Sequence, residues 1–154
     1  MKQLVLDTNL LVLLVVGFTD ENLIKRHKRV RTFTTDDFVL LQVFIEQYPK
    51  IITTPHVFAE CSNLIRQIDT DTANLLLDSL KILVKTILEI YTPSEQLVDQ
   101  NHYFRLGLTD VGLLKIIKDG AMLLTTDLDL YLAALEMGAH AENFNHLRMH
   151  YLLD

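Results

Sequence analysis

The stretch "LVLDTNLLVLLVVG", residues 4–17, decides how the chain is read. Leu4, Val5 and Leu6 have the character of a short buried strand, and Leu10 to Val16 form an unbroken apolar run. A single carboxylate, Asp7, separates them. Burying a charge is costly unless it is paired or hydrogen-bonded. Asp7 therefore either caps a helix or has a partner elsewhere in the chain.

Working outward, the strand candidates are Gln3–Leu6, Lys50–Thr53, Ala121–Thr125 and His140–Asn143, each short, partly apolar and followed by a turn or cap residue. Helical segments lie between them. Thr54 as cap with Pro55 as first helical residue starts a helix running to about Ile68, and Gly138 ends the one after Asp127. Asp36–Tyr48 reads as amphipathic, and Asp71–Tyr91 as one long helix whose core face is Leu75, Leu76, Leu80, Leu83, Val84, Ile87 and Leu88. Residues 17–35 read as the longest irregular stretch. The alternation predicts an α/β fold, a parallel sheet with helices on both faces.

The 154 residues, 49% hydrophobic and 22% charged, suit one domain with a packed core, and no repeat, low-complexity tract or linker divides residues 1–154. The single cysteine, Cys61, excludes an internal disulfide and a cysteine-based zinc site; it reads as a small core residue in a reducing compartment. Lys2 ahead of an apolar run imitates a secretory signal, but Asp7, Thr8 and Asn9 interrupt it and no small-residue cleavage pattern follows. The run also falls far short of the ~20 residues that span a bilayer. The expectation is a cytoplasmic protein with no membrane partner.

Net charge is −6, yet the charge is segregated. Lys25, Arg26, Lys28, Arg29 and Arg31 put five of the 14 basic residues inside "KRHKRVR", leaving nine against 20 acidic residues elsewhere. Such a run is either a solvated loop or a collector of nucleic-acid phosphates.

In parallel α/β sheets ligands gather at the carboxyl ends of the strands. Asp7 follows the first strand; Asp127 follows the third, in "LLTTDLDLY", with Asp129 two residues on. On a wheel of about 100° per residue, Glu60 borders the apolar stripe Val57, Cys61, Leu64, Ile65, Ile68 near its helix start, with Asn63 a turn further on the polar side. Asp110, in "LGLTDVGLLKIIKDG", falls on the side of Leu114 and Ile117 at the start of a helix spanning Thr109–Asp119. Each acid alone also has a structural reading, Glu60 as a dipole-favoured residue before a functional one and Asp110 as a capping carboxylate. Together, Asp7, Glu60, Asp110 and Asp127 occur at strand ends or early helical turns on one predicted edge, where they would repel one another unless cations compensate. All-oxygen clusters suit Mg²⁺ or Mn²⁺.

These pieces, "LVLDTN", "TPHVFAECSNL", "LTDVGLL" and "LLTTDLDL", resemble in order the PIN-domain nucleases, over nearly the whole chain. The resemblance implies a three-layer Rossmann-like parallel sheet, a Mg²⁺ or Mn²⁺ site and cleavage of RNA. It implies catalysis by Asp7, Glu60, Asp110 and Asp127, metal binding by Asp7, Asp110, Asp127 and the auxiliary Asp129, and orienting roles for Asn9 and Thr126, while Asn63 is an auxiliary candidate only by its place on the helix after Glu60. Small members of the family are commonly toxins of toxin-antitoxin pairs, so an antitoxin partner and a homodimer are further implications. The basic run at 25–31 would hold substrate RNA phosphates. The chain departs from the family in its longer, more basic 17–35 segment and in Val111 and Gly112 after Asp110.

Two rival readings differ in kind. One is a catalytically silent PIN-like binding module for nucleic acid or protein, in which the acids serve only as caps. The other is an aspartyl-phosphate phosphatase, suggested by the D-x-D of Asp127 and Asp129, although that chemistry needs its D-x-D after the first strand, where this chain has Asp7 and Asn9. His146 and His150 stand four apart, the spacing of a two-ligand metal face, but lack an evident third ligand.

Overall fold

The computed structural model describes residues 2–152 and has a five-stranded, all-parallel sheet flanked by helices, a three-layer Rossmann-like α/β fold. In chain order the elements are β1 (Gln3–Leu6), α1 (Thr8–Thr19), α2 (Thr35–Glu46), β2 (Lys50–Thr53), α3 (Pro55–Ile65), α4 (Thr70–Thr86) and β3 (Leu88–Glu89). Two short helices, α5 (Ser94–Leu97) and α6 (Tyr103–Leu106), precede α7 (Leu108–Ile117), β4 (Met122–Thr125), α8 (Leu128–Glu136), β5 (His140–Asn143) and α9 (Phe144–Leu152). The spatial order of strands is β3-β2-β1-β4-β5. Among the described residues, no helix is long and apolar enough to cross a membrane.

The apolar run that follows Asp7 is buried on every side. All seven residues from Leu10 to Val16 lie in the core, because α1 packs against α2, α3, α4 and β4 at once. A helix so enclosed needs no polar face. Gly17 extends this closeness to α2: a Cβ placed there would lie 2.4–2.7 Å from the ring of the buried Phe38. Gly17→Ala is therefore expected to lower stability by about 1–3 kcal/mol in urea titration, through overpacking. Helix propensity alone would raise it by about 1 kcal/mol, so a net gain would contradict the tight crossing.

Caps fix where the other helices begin and end. Thr34 and Asp37 form a reciprocal capping box on α2, Thr54 caps α3 with Pro55 in its first turn, and Asp69 caps α4. Gly138, at φ 74°, ends α8: its N–H donates to the Leu135 carbonyl and that of Ala139 to the Ala134 carbonyl. This is the Schellman arrangement. Cys61 is wholly buried, and burial pushes its thiol up to about 12.

Two expectations need correction. The segment read as one helix from Asp71 to Tyr91 bends at Ile87, whose extended backbone starts the edge strand β3, paired through Ile52 with Leu88 and Thr53 with Glu89. Leu75, Val84 and Leu88 are consequently exposed, while Ala73, Leu76, Leu80 and Ile87 enter the core. The apolar residues outnumber the positions one stripe can bury. The 17–35 segment is also more ordered than expected. Helix α1 continues to Thr19, a 3₁₀ turn spans Glu21–Leu23, and Ile24, His27, Val30 and Phe33 point inward at every third residue. His27 anchors the segment: its Nε2 lies 3.0 Å from the Ile65 carbonyl, and its Nδ1 accepts from the Arg29 amide at 3.2 Å. The basic side chains lie between these anchors, on the outside.

Candidate active site

The sheet order changes direction at β1. The chain runs from β1 through β2 to β3 on one side, then returns to place β4 and β5 on the other. Loops leaving the carboxyl ends of adjacent strands β1 and β4 therefore diverge and open a crevice. Asp7 is the first residue after β1, and Asp127 is the second after β4.

Asp7 is both a cap and a tertiary partner. Its Oδ1 accepts from the Leu10 amide at 2.9 Å, capping α1, and its Oδ2 accepts from the Thr126 amide at 2.8 Å and the Thr125 hydroxyl at 2.5 Å. The same Thr125 hydroxyl accepts from the Asp127 amide at 3.0 Å, so one buried side chain positions both strand-end carboxylates. Burial raises the pKa of Asp7 against the opposing effect of these hydrogen bonds, with a smaller upward contribution from Asp127.

Glu60 and Asp110 arrive from α3 and α7, which touch. The Thr109 hydroxyl donates to the Glu60 carboxylate and ties the two elements beside the cavity. Burial raises Glu60, opposed by His56. Asp110 is pushed up to about 7, first by burial and then by the negative charges of Asp127, Asp7 and Glu60. The four acids line one cavity of about 180 Å³ together with Thr8, Asn9, Leu64 and Leu130. Asp129 and Asn63 are exposed and outside this lining.

The donors are all oxygen, the chemistry that suits a hard dication. Among the described residues, no three His, Cys, Asp or Glu side chains stand at spacing that would enclose a metal ion. The arrangement is thus an acidic, all-oxygen cavity and not a closed protein cage for a metal ion. His146 packs edge-on against Tyr131 and His150 against Tyr151, leaving the His pair outside any such cluster.

A second, polar cleft of about 470 Å³ adjoins the first, lined by Asn9, Lys28, Arg29, Thr32, Phe33, Thr126, Asn145 and Arg148. Asn9 belongs to both linings. The structure thereby divides the basic run: Lys28 and Arg29 face this cleft, whereas Lys25, Arg26 and Arg31 do not line it, and Arg26 instead lies 3.5 Å from Asp69. Thr125, Thr109, Asn145 and Arg148 were invisible as site residues in the sequence. Only the doubled threonine before Asp127 offered a local signal.

Proton competition at Asp110 has a measurable consequence. If Asp110 is a ligand of a divalent ion, Mn²⁺ affinity read by calorimetry is expected to fall by up to tenfold per pH unit below about 7, because a protonated carboxyl does not ligate. A pH-independent affinity across this range would remove Asp110 from the ion's ligands. No family model matches this chain, and no curated protein matches it.

Proposed function

We propose that the protein is a divalent-metal-dependent endoribonuclease of the PIN type, hydrolysing RNA phosphodiester bonds with Asp7, Glu60, Asp110 and Asp127 and using Mg²⁺ or Mn²⁺. One observation carries the reading: four carboxylates from separate chain segments line a single cavity at the switch point of a parallel sheet. As structural caps alone, Asp7 and Asp127 would be explained, since each accepts from the third amide of its helix. Glu60 and Asp110 would not, because neither caps the helix that carries it.

A bound hard dication supplies charge neutralisation at the phosphate and a more acidic water. The chain's own residues prepare the site for it. Four hydrogen bonds, from the Leu10 amide, the Thr125 hydroxyl and the amide and hydroxyl of Thr126, hold Asp7 in one orientation, so little rearrangement is needed when substrate arrives. Asp110, with its pKa about 7, holds a proton at its carboxyl in mildly acidic solution and releases it as pH rises. Asn9 offers an uncharged amide where the acidic cavity meets the basic cleft.

The test is cleavage of single-stranded RNA with Mn²⁺, with EDTA, and by the Asp7→Asn variant. Cleavage that requires the metal and is lost in the variant supports the reading. Full cleavage by the variant in EDTA would rule it out.

A further inference from the structure

Resting on that nuclease reading, we infer that the cleft between residues 28–33 and α9 seats the RNA phosphate adjacent to the one presented to the carboxylates, with Lys28 and Arg29 supplying the charge and Arg148 the fixed wall. A cavity lined by four acids repels a polyanion, so the substrate's neighbouring phosphates need cations close by. The cleft provides them next to the acidic cavity. Asn9 lines both spaces, and the consecutive residues Thr126 and Asp127 line one each.

Arg148 is held rather than free. Its Nη2 donates to Asp37 at 2.9 Å and to the Thr32 carbonyl at 3.2 Å, its Nη1 donates to Asn145 at 3.0 Å, and its guanidinium lies 4.8 Å from the centre of the Phe33 ring. Its Nε is buried without a hydrogen-bond partner among the described residues. Asn145 in turn donates to the Thr126 carbonyl at 3.3 Å, and the Thr126 amide donates to Asp7. One line of hydrogen bonds therefore connects the basic wall to the buried carboxylate and fixes the spacing of the two clefts. Asp37 balances the charge of Arg148, which leaves the net positive charge of the cleft to Lys28 and Arg29. Arg29 donates its Nε to Gln67 at 2.6 Å, which directs the guanidinium without neutralising it. The amide of Asn9, which lines both spaces, is suited to the sugar and base edges of an unpaired strand.

Position in the cleft, rather than charge alone, separates Lys28 and Arg29 from Lys25, Arg26 and Arg31. Replacing Arg148 would uncover the buried Asp37 carboxylate, so the outward pair carries the test. Binding of a fluorescent single-stranded RNA oligonucleotide is followed by anisotropy with EDTA present, which separates binding from cleavage. Lys28→Glu with Arg29→Glu is expected to weaken binding more than about tenfold and to reduce the salt slope by about two. Lys25→Glu, Arg26→Glu and Arg31→Glu together reverse more charge but are expected to cost less than about threefold, since they lie outside the cleft. An equal or larger loss from the triple variant, or no binding by the unaltered protein, would overturn the inference. If the pattern holds while Mn²⁺ produces no cleavage, the cleft stands as an RNA seat and the catalytic reading falls. If cleavage is intact and the two variants bind alike, the reverse applies.

Discussion

Asp7→Asn is expected to reduce metal-dependent RNA cleavage by about a thousandfold or more, equivalent to roughly 4 kcal/mol in the barrier. Carboxylate-held dications contribute several kcal/mol to stabilising charge at a phosphoryl centre, and Asp7 is the most rigidly held of the four acids. The substitution keeps the shape of the side chain and one carbonyl oxygen for the Leu10 amide. Its new NH₂ group faces the Thr126 amide, however, which loses an acceptor. That loss costs about 1 kcal/mol, and removing a charge from a buried site offsets it. The folded state should therefore persist, as circular dichroism and a thermal melt would verify. An unfolded variant would attribute lost activity to structure, so the melt accompanies the assay.

Asp110→Asn is expected to abolish cleavage to a similar extent while making the protein more stable. In the folded state the Asp110 carboxyl is pushed from 3.8 up to about 7 by burial and by three neighbouring acids. The folded protein therefore holds a proton that the unfolded chain releases at lower pH. The carboxylate's cost to stability is absent below about pH 4, grows through the window from about 4 to 7, and is complete above it. A shift of that size corresponds to a ceiling of about 4 kcal/mol, reduced by solvent screening at a partly exposed group to about 1–3 kcal/mol. At about pH 8 and without divalent ions, the asparagine variant should melt several degrees above the unaltered protein, at about 2–4 °C per kcal/mol for a chain of this size. The difference should vanish near pH 4. Mn²⁺ should raise the melting temperature of the unaltered protein and do less for the variant, because binding to the folded state alone stabilises it. A variant that melts lower than the unaltered protein at about pH 8 would contradict the electrostatic account of the site.

These two substitutions expose a single design. The carboxylates are brought together at a cost to stability, which a cation would relieve under the proposed nuclease reading. Stability and activity are thus expected to change in opposite directions at Asp110. At Gly17, remote from the cavity, only stability is involved.

The amino-acid sequence by itself determined the parallel α/β plan. Strand, cap and helix signals are local: the apolar triplet before Asp7, the Thr54–Pro55 start, and the Gly138 stop each act within a few residues, where sequence neighbours are also spatial neighbours. It also marked Asp7, Glu60, Asp110 and Asp127, because each stands at a strand end or early helical turn. The tertiary structure alone decided three things. It ended the long apolar helix at Thr86 and gave Leu88–Glu89 to the sheet edge, since a two-residue strand exists only through its pairing with β2. It ordered the basic segment through buried Ile24, His27, Val30 and Phe33, whose partners lie far away in sequence. And it joined Thr125 to Asp7, Thr109 to Glu60, and Arg148 to the cleft beside the acids. Such contacts bring together residues separated by dozens of positions, and nothing in their local spacing encodes the meeting.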